Sequence, residues 1–210
     1  YNENTSFYAD INLDGKEEVF IANENSTPKV MWSDNTSTTI SDGLNIFPRS
    51  IIGNDFNGDG YIDFVVMAHN NEQLQPNPGE IPNLYLNDKK GGFIVSKLNI
   101  KSDFWHLGSS GDIDKDGDID LLVCTAGSVN IMINDGKGNF EKVREVFPAN
   151  NVSKSCVAVA DFDGDGKQDL FIGGYTTPGK FEQIPQSFIF RNESDKSAIK
   201  FTDVTSIVLQ

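Results

Sequence analysis

The sequence predicts an all-β protein built from four successive four-stranded antiparallel blades, and three observations carry that prediction. An acidic loop recurs four times along the 210 residues. Each copy runs into a strongly apolar stretch bounded by turn residues, the signature of a short buried strand. No segment keeps apolar residues at a 3.6-residue spacing, so almost no helix is expected. Repeats of this length, each holding an up-and-down meander of four strands, are those of a β-propeller.

The four copies read "ADINLDGKEEVFIAN" from Ala9, "NDFNGDGYIDFVVMA" from Asn54, "GDIDKDGDIDLLVCT" from Gly111 and "ADFDGDGKQDLFIGG" from Ala160. Their first acids are Asp10, Asp55, Asp112 and Asp161, so the steps are 45, 57 and 49 residues. Insertions such as "HNNEQLQPNPGEIPN" account for the unequal steps. A single propeller region over residues 1–210 is expected, with blades near 1–45, 46–102, 103–148 and 149–210. In each blade a first strand leads into the loop ("SFYAD", "RSIIGND", "HLGSSGD", "SCVAVAD"). The apolar second strand leaves it ("EVFIA", "DFVVM", "DLLVC", "DLFIG"), and a third follows ("KVMW", "NLYLN", "NIMIN", "SFIFRN"). Gly- and Asn-rich turns such as "NDGKGN" hand over to a fourth ("FIVSKL", "FEKVRE", "FTDVTS").

The loops have the chemistry of a hard-cation site. Positions 1, 3 and 5 are Asp10, Asn12 and Asp14 in the first loop and Asp55, Asn57 and Asp59 in the second. They are Asp112, Asp114 and Asp116 in the third and Asp161, Asp163 and Asp165 in the fourth. Position 6 is always glycine, and position 9 is always acidic: Glu18, Asp63, Asp120 and Asp169. Oxygen ligands on alternate residues suit calcium before magnesium. The glycine permits a backbone reversal that brings in the position-7 carbonyl, from Lys16, Tyr61, Asp118 or Lys167. Position 12 is Ile21, Val66, Val123 or Ile172 inside an apolar strand, whereas an EF-hand needs a glutamate there on a helix. The competing explanation is that Asp, Asn and Gly simply make good turns. A turn has no use for a further carboxylate at position 9 after positions 1, 3 and 5, and the pattern recurs in every copy. Up to four structural Ca2+ are therefore expected.

At this point the chain resembles the FG-GAP/VCBS repeats of integrin α-chain propellers and bacterial secreted proteins. The motif D-x-[DN]-x-D-G-x-x-[DE] ahead of an apolar strand carries the resemblance, which covers essentially the whole chain. The phrase "FTDVT" also looks like the outer strand of the bacterial members. The resemblance implies calcium loops between the first two strands of each blade, an extracellular or cell-surface location, and a role in adhesion or ligand recognition. Rings of this family usually hold seven or eight blades. Four units therefore point to part of a larger ring or a half that pairs with another copy, the alternative being a closed four-bladed ring.

In such a blade the strand-one starts and strand-two exits lie on the face opposite the calcium loops. That placement makes Arg49, His69, Asn70, Trp105, His106 and Tyr175 candidate ligand-binding residues, next to long loops at 68–83 and 173–187. For Trp105 and His106 the alternative is a packed aromatic beside an exposed imidazole. The function expected is a calcium-stabilised module that recognises a protein or glycan. The competing expectations are the propeller domain of a polysaccharide lyase using His106 and Arg49, or a structural array in a fibre or surface layer. No convergent catalytic set is visible.

Bulk composition narrows the partners further. With a net charge of −14, a nucleic acid or anionic membrane is a poor fit, since each phosphate contact needs a base. Fourteen of the 31 acids occupy positions 1, 3, 5 and 9 of the four loops, so the charge is local. No apolar run approaches the roughly 18 residues of a membrane helix. The chain opens at Tyr1 without a methionine or visible signal peptide, and is expected to be a mature or excised piece. Cys124 and Cys156 lie in apolar runs and are expected to be buried free thiols rather than a disulfide. Five N-x-[ST] acceptors occur, at Asn4, Asn25, Asn35, Asn151 and Asn192.

Overall fold

The computed structural model describes residues 4–70, 79–125, 127–142, 153–176, 182, 185–195 and 198–208. The expected alternation of apolar runs and Gly/Asn turns yields four separate four-stranded antiparallel sheets, each a meander in chain order. The first sheet is β1 (Asn4–Ala9), β2 (Glu18–Asn23), β3 (Lys29–Met31) and β4 (Ser37–Thr39). The second is β5 (Phe47–Asn54), β6 (Asp63–His69), β7 (Asn83–Asn87) and β8 (Phe93–Lys97). The third is β9 (Trp105–Gly111), β10 (Asp120–Thr125), β11 (Val129–Asn134) and β12 (Phe140–Lys142). The fourth is β13 (Ser153–Ala160), β14 (Asp169–Thr176), β15 (Phe188–Asn192) and β16 (Phe201–Asp203). One four-residue helix, α1 (Thr205–Val208), follows, started by Asp203, whose Oδ1 accepts the Thr205 N–H at 2.9 Å. The strand β4 has no apolar signal, being Ser-Thr-Thr on an exposed edge, and the sequence reading had not singled it out.

The chain forms two compact units, Tyr1–His106 with Gly136–Asn139 and Leu107–Asp135 with Phe140–Gln210. The first is filled by aromatic rings. Phe20 stacks on Phe64 at 4.2 Å between centroids, and Tyr85, Phe93 and Phe7 close around the pair edge-on or tilted. Rings in these arrangements add about 0.5–1.5 kcal/mol per pair beyond their burial. The second core is mostly aliphatic, with Ile113, Leu122, Val129, Ile131, Leu170 and Ile172 around Cys124 and Phe190. Strands β6 and β10 are buried on both faces, which is why their sequences read as unbroken apolar runs rather than alternating ones. Their rigidity fixes the hairpin loops that precede them.

Candidate metal centre

Each acidic loop joins the first two strands of its sheet, and backbone hydrogen bonds turn its alternate side chains inward. In the second loop Asp55 Oδ1 accepts the Asp59 N–H at 3.0 Å and Oδ2 the Gly60 N–H at 2.7 Å. Asn57 Oδ1 accepts the Asp59 N–H at 3.1 Å, and Asp59 Oδ1 the Tyr61 N–H at 3.0 Å. The first and fourth loops repeat this set around Asp10 and Asp161. The position-6 glycines have φ of +85°, +86°, +102° and +83°, the left-handed region that glycine enters without steric cost. Position 4 is left-handed too. Gly58 and Gly164 fill it in two loops, but Leu13 and Lys115 adopt φ of +62° and +66° in the others. That strain was not legible beforehand, because neither residue announces a left-handed position.

The acid at position 9 has a second structural task. Asp63 Oδ2 accepts the Phe56 N–H at 2.9 Å and Oδ1 the Asn87 N–H at 2.8 Å. Asp120 does the same for Ile113 and Asn134, and Asp169 for Phe162 and Asn192. One carboxylate thus ties the loop's start to the end of the third strand. The asparagine it meets extends the tie through its own amide. Asn87 Nδ2 reaches Ile11 O of the preceding sheet's loop at 3.0 Å, and Asn192 Nδ2 reaches Ile113 O at 2.7 Å. The sequence reading had not singled out these asparagines. The available signal was their recurrence at the end of the third strand, as "NLYLND", "NIMIND" and "FIFRNE". The first sheet carries Ser33 at the matching register.

Electrostatics set the loops apart. Burial pushes Asp63 up to about 6 and Asp120 up to about 7, against hydrogen bonds that favour the ionised form. Burial, then the charge of Asp116, also raises Asp114. Burial acts upward on Asp59 as well, but hydrogen bonds from Tyr61, Asn57 and Lys89 outweigh it and lower its pKa. Lys89 Nζ lies 3.3 Å from Asp59 Oδ2, and Arg191 Nε lies 2.7 Å from Asp163 Oδ2.

Calcium, which the resemblance implies, fits these residues. The nearest carboxylate oxygens of Asp112, Asp114 and Asp116 all lie within 4.8 Å of one another, as do those of Asp161, Asp163 and Asp169. Asp112 Oδ1 is buried and has no hydrogen-bond partner, and the same holds for Glu18 Oε1. A buried carboxylate oxygen without a donor is costly unless a cation meets it.

The structure brings together four of the six candidate ligand residues. Arg49 sits at a bulge in β5, between pairs Pro48–Ala68 and Ser50–Met67. Its Nε donates to His69 Nε2 at 2.5 Å, and His69 Nδ1 meets Asn70 O at 2.7 Å. The buried His69 ring is sandwiched between Phe47 and Phe104, with the His106 ring centred 5.0 Å away. Trp105 is a core residue, 2% exposed, with Nε1 donating to Lys101 O at 3.1 Å. Tyr175, 69% exposed, lies in the second unit. Parts of both long loops, residues 71–78, 177–181 and 183–184, fall outside the described residues.

Two expectations need correction. Cys124 is buried, which pushes its thiol up to about 12, but Cys156 is exposed on β13. Neither is in a disulfide. Asn192 cannot serve as a glycan acceptor, since it is buried in the tie described above, whereas Asn25 and Asn35 are exposed in turns. Asn151 and the side chain of Asn4 lie outside the described residues.

Sheets of this form, each with an acidic loop between its first two strands, define a repeat protein of the β-propeller class. The chain belongs to the FG-GAP-like repeat family, whose model matches residues 10–66 and 112–172, more than half of its length. Among solved structures it is similar to an Agrocybe aegerita lectin whose structure concerns recognition of non-reducing terminal N-acetylglucosamine. The match has a TM-score of 0.62 at 16% identity and covers 94% of this chain and 51% of the lectin, about half that protein's length. Other matches are the Tc holotoxin pore of Photorhabdus luminescens (TM-score 0.49, 16% identity, 80% of this chain and 8% of that one) and the V. cholerae biofilm matrix protein Bap1 (TM-score 0.35, 18% identity, 81% and 34%). No curated protein sequence matches. Among the described residues no helix is long and apolar enough to cross a membrane.

Proposed function

We propose that the chain is a calcium-stabilised binding module of an extracellular or cell-surface protein, recognising a glycan or protein ligand. Asp112 Oδ1 carries the metal part of this reading. It is a buried oxygen with no partner, in a group of three convergent carboxylates. The ion would be held by positions 1, 3, 5 and 9 of each loop with the position-7 carbonyl, and would supply charge neutralisation and a rigid bend rather than chemistry on a substrate. The binding role is supported by membership of the repeat family and by likeness to a glycan-recognising lectin. Because this chain spans half of that lectin, further blades or a second copy would complete the assembly.

Calorimetry on chelator-treated protein is expected to show calcium uptake. At free calcium about 100-fold above Kd, one site adds about 2.7 kcal/mol, which raises Tm by about 5–10 °C in a chain of this size. A glycan array and a pull-down, each with and without calcium, test the ligand part. No calcium uptake and no Tm gain would overturn the metal reading. Normal uptake with no calcium-dependent binding to either glycan or protein would overturn the binding reading.

A further inference from the structure

We infer that a recess in the first unit, between the β4–β5 connection and strands β7 and β8, is a binding site for a neutral sugar ring. The inference rests on the binding-module reading and assigns that module a subsite. The recess encloses about 450 Å3, within the roughly 300–1,000 Å3 typical of small-molecule sites.

The groups that hold its lining residues Gly43 and Asn83 are prebuilt. Asn83 Nδ2 donates to Asn45 Oδ1 at 3.0 Å, Asn45 Nδ2 donates to Tyr85 Oη at 2.9 Å, and the Tyr85 hydroxyl donates to Gly43 O at 2.6 Å. All three side chains are buried. Gly43 has φ +78°, and a Cβ there would lie 2.6 Å from the Tyr85 ring, so the connection is pinned onto the tyrosine. The buried Glu80 fixes the next turn, with Oε2 accepting the Ile46 N–H at 3.1 Å. A site whose walls are held by their own hydrogen bonds loses little entropy when it is filled.

The lip chooses the ligand class. Asp42 supplies an acceptor, Ser96 a hydroxyl and Lys97 an ammonium, and all three are exposed. Lys97 Nζ donates to Ile81 O and Asn83 Oδ1, at 3.2 and 3.1 Å, which leaves one of its three donors over. Leu44, an apolar side chain left 54% exposed, shares the lining. The lining carboxylates of Asp42 and Glu80 and the single ammonium of Lys97 leave no positive excess to attract a polyanion. Donors, acceptors and an apolar side chain in one recess match a ring that carries hydroxyls on its edge and C–H groups on its faces.

The test is saturation-transfer NMR on the full, calcium-loaded chain with glucose, galactose, mannose and N-acetylglucosamine, and with glucuronate and choline as charged controls. At least one neutral sugar is expected to bind. Ser96→Trp, which plugs the recess from an exposed position, and Asp42→Ala are each expected to weaken that binding at least tenfold with Tm unchanged. Neutral-sugar binding that survives both substitutions overturns the subsite while leaving the module reading intact. Preference for glucuronate or choline overturns the ligand class. Absence of all sugar binding with normal calcium uptake overturns the inference and leaves a protein as the module's ligand.

Discussion

The loops at Asp55–Asp63 and Asp112–Asp120 share a motif and a hairpin, yet they solve the crowding of carboxylates differently. In the first, burial is outweighed by hydrogen bonds from Tyr61, Asn57 and the ion-paired Lys89, which hold the Asp59 carboxyl low, and glycine takes the left-handed position 4. In the second, burial and then the charge of Asp116 push Asp114 up, Asp112 Oδ1 is left without a partner, and Lys115 occupies position 4 under strain. One loop arrives partly neutralised, whereas the other concentrates negative charge that a proton or an external cation would relieve. The lesson is that a repeated motif fixes where oxygens stand but not how strongly each copy needs its ion. Sequence outside the motif decides that: Lys89 belongs to the turn after β7, not to the loop it serves.

The largest effect expected separates structural from ligating acids within the third loop. Asp120→Ala strands two buried N–H groups, those of Ile113 and Asn134, each at about 1–3 kcal/mol. Asp112→Ala removes a proposed ligand whose Oδ1 has no protein partner. Urea unfolding in chelator should therefore show Asp120→Ala losing several kcal/mol (~2–6) and Asp112→Ala losing little. Equal losses would mean that position 9 has no structural task beyond the metal.

A smaller effect should appear with pH. The folded-state pKa of Asp120, about 7, lies above the ordinary aspartate value of about 3.9. In chelator its contribution to stability is full below about pH 4 and is lost as pH rises through 7. Tm in chelator should fall between pH 5 and pH 8, and the calcium-induced gain in Tm should be larger at pH 8. A gain that is the same at both values would show that the third loop does not couple protons to calcium.

The smallest effect tests the tethered cation directly. An exposed ion pair contributes about 0.2–1 kcal/mol, so Lys89→Met should tighten calcium binding at the second loop by at most about fivefold, leaving the third unchanged. Weaker calcium binding after Lys89→Met would reverse the assigned role, making the lysine a support of the ion-bound loop instead of its competitor.

The four-blade pattern, the all-β class and the position of every acidic loop were legible in the sequence. Their signals are local: side chains alternating along a strand, glycine where the chain reverses, oxygens on every second residue. The ties made by Asn87 and Asn192 were not legible, because an amide at a strand's end looks like any turn residue until the carbonyl it meets arrives from another sheet. Arg49 was singled out for its place at a strand start, but the bulge that lays it on His69 depends on pairing with β6. Nothing in "SDGLNIF" or "FIVSKL" taken separately suggests a recess, since each supplies only one wall.

By itself the sequence determined the repeat, the strands and the oxygen-rich loops, because these follow from the spacing of residues close together in the chain. Only the tertiary structure decided which charges compensate one another, which polar groups are buried, and where a cavity opens. Those outcomes depend on distances between residues tens of positions apart, which packing alone sets.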